Sequence, residues 1–230
     1  MQAVVLAAGL GTRMGEWTKT KPKSLVEIAG KTILEHKFDE FPEPIDELVL
    51  VIGHFGEQIR AKFGNVYKGK KITYVDCPNP VGGTMYALAC ARSVLHGRFL
   101  ATNGDDIHLK GDIENCLQHE WALAIMQLAD LGTASKVEID ASGKILNIVE
   151  ADTHGGGAGL GGVGLYILDQ RVFDVPPVVV RGRTETGLPQ TMVAASKALG
   201  IPITTVKVSK VVHITTLRDV VAAEAEKIFG

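Results

Sequence analysis

Two short motifs near the start of the chain hold the residues best suited to phosphate chemistry. The first is the glycine-rich stretch LAAGLGTR at residues 6–13, and the second is KPKSL at residues 21–25. Glycine has no Cβ atom, so Gly9 and Gly11 allow main-chain N–H groups to approach an anion closely. Arg13 and Lys23 add positive charges that can pair with phosphate oxygens. Together the motifs predict a polyphosphate-binding loop that follows a first strand.

Two other kinds of nucleotide-binding loop do not match this spacing. A P-loop needs four residues between its glycines and then Gly-Lys-Ser/Thr, and the chain has no such run. A dinucleotide fingerprint needs a third glycine where Met14 stands. It also needs an acid at the end of the second strand, where Gly53 and His54 follow residues 48–52. The spacing therefore argues against both a P-loop and a dehydrogenase.

The composition limits the class of partner. With 230 residues, 46% of them hydrophobic, the chain is long enough for one α/β domain with a sizeable core. Its formal net charge of −2 gives no broad basic field, so we expect neither nucleic acid nor a membrane as a partner.

No segment is typical of a secretory signal, which predicts a cytoplasmic protein. Cys77, Cys90 and Cys116 lack metal-ligand spacing and are predicted to be packing residues.

Patterns typical of strands and helices alternate in the first half of the chain, and strand patterns dominate the second half. Strands are predicted at 3–6, 48–52, 72–75, 98–102, 122–128, 136–139, 145–150, 163–168 and 203–208. Helices are predicted at 31–41, 56–63, 83–95, 187–199 and 216–229, and a mobile loop at 155–162. We therefore predict an α/β fold, a Rossmann-like three-layer sandwich with a central, mostly parallel mixed sheet and a smaller β-rich region.

Polar residues follow the predicted strands at the edge where open parallel sheets bind ligands. The run NGDD at residues 103–106 comes directly after a strand, and Asp105 offers the hard oxygen ligand that Mg²⁺ prefers. An Asx-type turn is the alternative explanation for this carboxylate. Asn79 precedes a helix that starts near Gly83 and Thr84, where free N–H groups can meet a ligand. A plain helix start would carry the same residues.

The two motifs, at this separation, resemble the signature of the sugar-1-phosphate nucleotidyltransferase family, some relatives of which act on phosphocholine or inositol phosphate. The resemblance implies a GT-A-like, Rossmann-type NTP-transferase fold in a single domain at 1–230, with a nucleotide-binding half at 1–120 and an acceptor-binding half at 121–230. It implies catalytic roles for Arg13, Lys23 and Asp105, with Mg²⁺ at Asp105. The nucleotide-binding residues that it implies are Leu6, Ala7, Ala8, Gly9, Gly11, Thr12, Arg13, Lys23, Asn79, Gly83 and Thr84.

The resemblance is less complete on the side that would bind the acceptor. Glu150 matches a glutamate that contacts sugar hydroxyls in relatives, and Gly164 and Asp105 complete the implied acceptor site. Ala151, however, stands where many relatives have the lysine that holds the acceptor phosphate. Gly162 stands where an asparagine is frequent. These departures leave the chemical identity of the acceptor open.

His213 occupies the position where relatives have a second metal-binding aspartate, so it is either a second metal ligand or a structural histidine.

The implied reaction joins an NTP to a sugar 1-phosphate and releases pyrophosphate. One alternative is a CTP-dependent cytidylyltransferase for inositol phosphate or phosphocholine. A non-catalytic, nucleotide-binding regulatory subunit is the alternative from another class. The expected partners are an NTP and a phosphorylated small-molecule acceptor, and a homo-oligomer is left open.

Overall fold

The structure, a computed structural model, describes residues 1–132 and 134–225 of the chain. The strands are β1 (Gln2–Ala7), β2 (Glu27–Ile28), β3 (Lys31–Thr32), β4 (Glu47–Ile52), β5 (Val66–Tyr67), β6 (Lys70–Asp76), β7 (Arg98–Asn103), β8 (Asp106–His108), β9 (Ala122–Leu128), β10 (Lys136–Ile139), β11 (Ile145–Val149), β12 (Gly159–Asp169), β13 (Thr204–Lys207) and β14 (Val211–His213). The helices are α1 (Ile33–Asp39), α2 (Gly56–Phe63), α3 (Thr84–Cys90), α4 (Lys110–Leu117), α5 (Ala151–His154), α6 (Leu188–Leu199) and α7 (Leu217–Ala225). Short 3₁₀ segments cover Thr12–Lys19, Lys23–Leu25 and Gln170–Asp174.

One large mixed sheet forms the centre of the fold. Its strand order is β11-β10-β12-β7-β1-β4-β6-β5, and β9 pairs with both β12 and β13. β1 lies between β4 and β7 and is parallel to both, and β6 extends this parallel set beside β4. β12 runs antiparallel to β7 and to β9. The pairing thus changes from parallel to antiparallel where the second half of the chain joins the sheet.

Helices cover both faces of the sheet. β1 and β4 lie at its centre, and their continuous apolar runs are buried, as expected for central parallel strands. On one face, Met85 and Leu88 of α3 share a core with Leu188 and Met192 of α6. The core on the other face takes residues from α1, α2 and α4, namely Leu34, Phe38, Ile59, Phe63, Ile113 and Cys116. The predicted α/β three-layer sandwich with a mostly parallel mixed sheet is therefore confirmed.

A third apolar cluster joins the segment after the glycine-rich loop to the C-terminal part of the chain. Its buried members are Met14, Val26, Ile28, Ile33, Ile107, Val212, Ile214 and Ala223. β14 pairs antiparallel with β8, which places His213 opposite Asp106. Burial of these apolar residues therefore brings together chain segments that are distant in sequence.

Several predicted helices are present with shorter bounds. The helix predicted at 31–41 begins at Ile33, because Thr32 and Glu35 form a capping box in front of it. The helix predicted at 83–95 ends at Cys90. Of the helix predicted at 216–229, residues 217–225 are helical, and residues 226–229 lie outside the described residues. No helix in the described part of the chain combines the length and hydrophobicity needed to cross a membrane.

The prediction of a mobile loop at residues 155–162 is wrong for the second half of that run. Gly159, Gly161 and Gly162 belong to β12 and pair with β9. A Cβ atom on Gly161 would lie 2.5 Å from Cδ1 of Leu128 on the neighbouring strand. The missing side chain therefore gives space to a large apolar neighbour, so here glycine serves close packing within a sheet.

The cysteines lie in or beside the core. Cys77 and Cys116 are buried, and Cys90 is half-buried. The sulfur atoms of Cys90 and Cys77 are 3.1 Å apart, a proximity that the sequence spacing did not indicate. Burial and the hydrogen bond with Cys90 raise the pKa of the Cys77 thiol to about 12. The Cys77 side chain is therefore a neutral thiol at physiological pH.

Candidate active site

A cleft of about 590 Å³ opens where β1 and β7 end. Parallel strands end at a common edge of the sheet, where open α/β folds bind ligands. The lining residues predicted from the sequence are Leu6, Ala7, Ala8, Gly9, Gly11, Thr12, Arg13, Lys23, Asn79, Gly83, Thr84, Asp105 and His213. The fold thus brings all of the predicted nucleotide-binding residues into one cleft with Asp105 and His213.

The glycine-rich loop leaves β1 and turns sharply at Gly11, which has a left-handed backbone with φ of 63°. A Cβ atom on Gly11 would lie 2.9 Å from Cβ of Lys23, so the missing side chain lets the stem of Lys23 pack against the loop. Gly53, directly after β4, packs against the loop, since a Cβ atom there would lie 2.5 Å from the carbonyl oxygen of Ala8. The buried side chain of Met14 anchors the following 3₁₀ turn in the third apolar cluster.

Arg13 and Lys23, the cations predicted from the two motifs, both line the cleft, but only Lys23 has an ion-pair partner within the described residues. Lys23 is largely buried, and its Nζ atom lies 2.5 Å from Oδ2 of Asp105, so the ion pair links the KPKSL motif to the turn after β7. Arg13 is exposed and has no ion-pair partner among residues 1–132 and 134–225. The cleft therefore contains one charge-balanced cation and one cation that is available to an anionic ligand.

A buried cation and a buried carboxylate lie behind the cleft. Lys37 of α1 is almost completely buried and donates a hydrogen bond from Nζ to Oγ1 of Thr102, at 3.0 Å. Burial lowers the pKa of Lys37 to about 8, although the charges of Asp106 and Asp105 oppose that shift. Burial alone would raise the pKa of Asp106, but the hydrogen bond from His213 and nearby positive charges lower it to about 2. Asp106 is therefore ionised at neutral pH.

The donor atoms at the end of β7 are compatible with a divalent cation. Oxygen atoms of Asp105 and Asp106 and a ring nitrogen of His213 all lie within 4.8 Å of one another. Asp106 is engaged by Asn103 Nδ2, which donates to Oδ2 at 3.0 Å, and by His213 Nδ1. Oδ1 of Asp105 has no hydrogen-bond partner within the described residues, and Asp105 lines the cleft. This free carboxylate oxygen is the hard ligand that Mg²⁺ prefers, and imidazole suits Mg²⁺ less well.

His213 lies on β14 at the side of the cleft, with its side chain 43% exposed. Burial lowers the pKa of the imidazole, but the hydrogen bond and the negative charge of Asp106 outweigh it and raise the pKa above its usual value. The neighbouring charge of Asp105 acts in the same direction. A raised pKa favours an imidazolium ion, which repels metal ions and attracts anions.

The 79–84 segment forms another wall of the cleft. Oδ1 of Asn79 accepts a hydrogen bond from the N–H of Val81 at 3.2 Å, which leaves the Nδ2 group of Asn79 for a ligand. Gly83 has φ of 90°, and a Cβ atom there would lie 2.4 Å from the carbonyl oxygen of Thr186. Oγ1 of Thr84 accepts a hydrogen bond from the N–H of Leu188 at 2.9 Å. This wall is therefore held against the segment that leads into α6.

Two predicted acceptor-binding residues do not line the cleft. Glu150 follows β11, and its Oε1 atom accepts a hydrogen bond from Nε2 of Gln190 at 2.5 Å. Gly164 is buried in β12 with φ of 70°, and a Cβ atom there would lie 2.2 Å from Oδ2 of Asp106. Gly164 lies behind the cleft, because its backbone packs against Asp106, and its acceptor-binding role stays a prediction.

Three polar residues that line the cleft were not predicted as site residues, namely Ser24, Asn103 and Thr215. Glu185, for which the sequence gives weak support as an acceptor-facing residue, also lines the cleft. Ser24 Oγ, Asn103 Oδ1 and Thr215 Oγ1 are buried and have no hydrogen-bond partner within the described residues. Ser24 follows Lys23 directly and Asn103 lies two positions before Asp105, and this closeness in sequence was the available signal. No comparable local pattern marked Thr215.

Known proteins that are similar in sequence to this chain include nucleotidyltransferases. The profile of the MobA-like NTP transferase domain matches residues 3–127. The bifunctional protein GlmU of Methanococcus vannielii is 31% identical over 180 residues, which are 76% of this chain and 42% of GlmU. The UTP–glucose-1-phosphate uridylyltransferase AglF of Haloferax volcanii is 40% identical over 108 residues, which are 46% of this chain and 44% of AglF. This chain therefore aligns with less than half of the length of these relatives.

The fold is similar to that of a solved UDP-glucose pyrophosphorylase complexed with UDP-glucose, with a TM-score of 0.78 and 18% sequence identity. The superposition covers 99% of this chain and 98% of that one, so the likeness extends over both halves of the sheet. The profile match, in contrast, covers the parallel half, which contains LAAGLGTR, KPKSL and NGDD. The family predicted from the motifs is confirmed, and the chain belongs to the MobA-like NTP transferase domain family.

Proposed function

We propose that this protein is a nucleotidyltransferase that joins the nucleoside monophosphate of an NTP to a sugar 1-phosphate, forming an NDP-sugar and pyrophosphate with the aid of Mg²⁺. One observation carries the proposal, namely the convergence of the glycine-rich loop, Arg13 and the Lys23–Asp105 pair in a single cleft. The name of the relative AglF, a UTP–glucose-1-phosphate uridylyltransferase, supports a sugar 1-phosphate as the acceptor.

The reaction requires charge neutralisation more than proton transfer, because the attacking phosphate oxygen is already anionic. Arg13, which is exposed and unpaired in the described residues, would hold the β- and γ-phosphates and stabilise the departing pyrophosphate. Lys23 would contact both the α-phosphate and the acceptor phosphate. Its ion pair with Asp105 keeps the ammonium group in place before substrate binds.

Asp105 would hold Mg²⁺ through its free carboxylate oxygen, and the bound ion would neutralise charge on phosphate oxygens. Gly83, Thr84 and Asn79 would contact the base or ribose. On the acceptor side, Glu150 would accept hydrogen bonds from sugar hydroxyls, with its carboxylate oriented by Gln190. Gly164 would contribute by allowing Asp106 and Asn103 to pack beneath the site.

A crossed panel of substrates tests the proposal. ATP, CTP, GTP and UTP are each combined with glucose 1-phosphate, N-acetylglucosamine 1-phosphate, inositol phosphate and phosphocholine, and pyrophosphate release is measured with Mg²⁺ and with EDTA. We expect release with a sugar 1-phosphate and Mg²⁺, and an NDP-sugar by mass spectrometry. Release only with CTP and a head-group phosphate would instead identify a cytidylyltransferase. Nucleotide binding without release from any pair would indicate a regulatory nucleotide-binding protein.

A further inference from the structure

Buried polar side-chain atoms without hydrogen-bond partners concentrate at the cleft. The described residues contain five such side-chain atoms, on Trp17, Ser24, Asn103, Gln190 and Thr215. Ser24, Asn103 and Thr215 line the cleft. A buried polar group without a partner destabilises the ligand-free fold, so a cluster of them points to a ligand that completes the hydrogen bonds.

The most informative member of this cluster is Thr215, because two hydrogen bonds hold the backbone around it. The N–H of Ile214 donates to the carbonyl oxygen of Asp105 at 3.0 Å, which continues the pairing of β14 with β8. Ile214 is completely buried in the third apolar cluster. Side chains alternate along extended chain, so His213 and Thr215 face away from that cluster and both line the cleft. The N–H of Thr215 donates to Oδ2 of Asp219 at 2.8 Å, which fixes its backbone.

The chemistry of the surrounding groups indicates what this hydroxyl would bind. Lys23 and Asp105 lie beside the 213–215 segment, because the Ile214 N–H contacts the Asp105 backbone. Thr215 is only 8% exposed, so water has little access to its hydroxyl. An ionised phosphate oxygen has no proton to give and needs a donor, and a threonine hydroxyl can supply one.

We propose that Thr215 is a substrate-binding residue whose hydroxyl donates a hydrogen bond to a phosphate oxygen of the bound nucleotide, beside the Lys23–Asp105 pair. This inference rests on the proposed function, since it needs a nucleotide in the cleft. The neighbouring Thr216 provides a contrast. Its Oγ1 atom already has a partner, Oδ2 of Asp219 at 3.1 Å, at the start of α7.

The experiment compares Thr215→Val, Thr215→Ser and Thr216→Val with the unmodified protein. Binding of ATP, CTP, GTP and UTP is measured one at a time by calorimetry, with Mg²⁺ and with EDTA, and unfolding temperatures are measured without ligand. Thr215→Val should weaken binding of the preferred nucleotide by about tenfold, in Mg²⁺ and in EDTA alike, as expected for loss of one hydrogen bond to a charged group. It should leave the unfolding temperature unchanged or raise it, because an unsatisfied buried hydroxyl has been removed. Thr215→Ser should bind as the unmodified protein does.

Thr216→Val should give the opposite pair of results, with a lower unfolding temperature and unchanged nucleotide affinity, because it removes a capping hydrogen bond outside the cleft. Equal affinity of Thr215→Val and the unmodified protein would overturn the inference about Thr215 and leave the proposed function intact. A loss of affinity confined to Mg²⁺ would also overturn it, since the hydroxyl would then act through the metal. If the unmodified protein bound none of the four nucleotides, the proposed function would fail together with the inference.

Discussion

The proposed nucleotide side and the proposed acceptor side of this protein differ in how their residues are positioned relative to the cleft. On the nucleotide side, residues 6–13 are consecutive, and every one of them lines the cleft. On the proposed acceptor side, Glu150 and Gly164 were predicted from the resemblance, and neither of them lines the cleft. A loop at the end of a parallel strand has its location set by that strand. Glu150 instead follows β11 at one edge of the sheet, and Gly164 lies inside β12, so neither residue is at the strand ends where the cleft opens. Local motifs are therefore more reliable guides to the nucleotide side.

The sharpest test of this comparison removes the charges at the centre of the nucleotide side. Lys23→Ala and Asp105→Ala should each lower the rate of pyrophosphate release by roughly a hundredfold or more, the effect of losing one preorganised electrostatic contact. Lys21→Ala is the matched control, because Lys21 belongs to the same motif but does not line the cleft. Circular dichroism checks that the variants fold. Rates near normal in both site variants would contradict the assignment.

On the acceptor side, Gly164 offers a test of packing. Gly164→Ala places a Cβ atom 2.2 Å from Oδ2 of Asp106 and 2.3 Å from Nδ2 of Asn103, at a residue with φ of 70°. We expect the free energy of unfolding to fall by about 2 kcal/mol, measured by urea titration. Gly162→Ala, on the same strand, has no neighbouring atom closer than 3.6 Å to the added methyl group and should change stability little. Equal stabilities of the two variants would show that Gly164 does not carry this packing role.

The buried histidine beside the site predicts a pH dependence. Burial and the charge of Lys37 lower the pKa of His108 from 6.5 to about 4, and its Nε2 atom bonds to the carbonyl oxygen of Val163 at 2.7 Å. As the pH falls below 6.5, unfolded chains bind a proton that the folded protein excludes, so stability is lost between pH 6.5 and pH 4. The contribution of His108 to the free energy of unfolding should fall by about 1 kcal/mol between pH 7.5 and pH 5.5.

His108→Gln keeps a donor for the Val163 carbonyl and should remove this part of the pH dependence. His213 has a raised pKa and therefore the opposite sign, contributing stability below pH 6.5 that is lost as the pH rises through its folded pKa. Comparing the variant with the unmodified protein at each pH isolates His108 from His213. An unchanged slope in His108→Gln would refute the assignment.

The smallest expected effect concerns the orientation of Glu150. Gln190→Leu removes the 2.5 Å hydrogen bond to Oε1 of Glu150 without changing a cleft-lining residue. We expect the KM for the acceptor to rise by about fivefold, while the KM for the nucleotide stays constant, because the hydrogen bond orients a group on the acceptor side only. Gln190→Glu, which places two carboxylates together, should raise the acceptor KM further. A parallel rise in the nucleotide KM would show that the two sides do not separate in this way.

Much of the fold could be predicted because its central strands are continuous apolar runs. The runs at 48–52 and 98–102 became β4 and β7, which flank β1 in the sheet. The run at 155–162 could not be predicted from local composition. Residue 161 has to be glycine because the side chain of Leu128 on a neighbouring strand fills the space that a Cβ atom would need. That contact exists only after the sheet forms.

The sequence by itself determined where the proposed phosphate-binding groups lie relative to one another, because the glycines, Arg13 and Lys23 belong to two short motifs. Only the tertiary structure decided the partners of the carboxylates, namely Lys23 for Asp105 and His213 for Asp106. Asp106 and His213 are separated by 107 positions, and the antiparallel pairing of β8 with β14 places them side by side. The same pairing brings the Thr215 hydroxyl to the cleft without a partner. Such contacts depend on the burial of apolar residues throughout the third cluster, which no local spacing encodes.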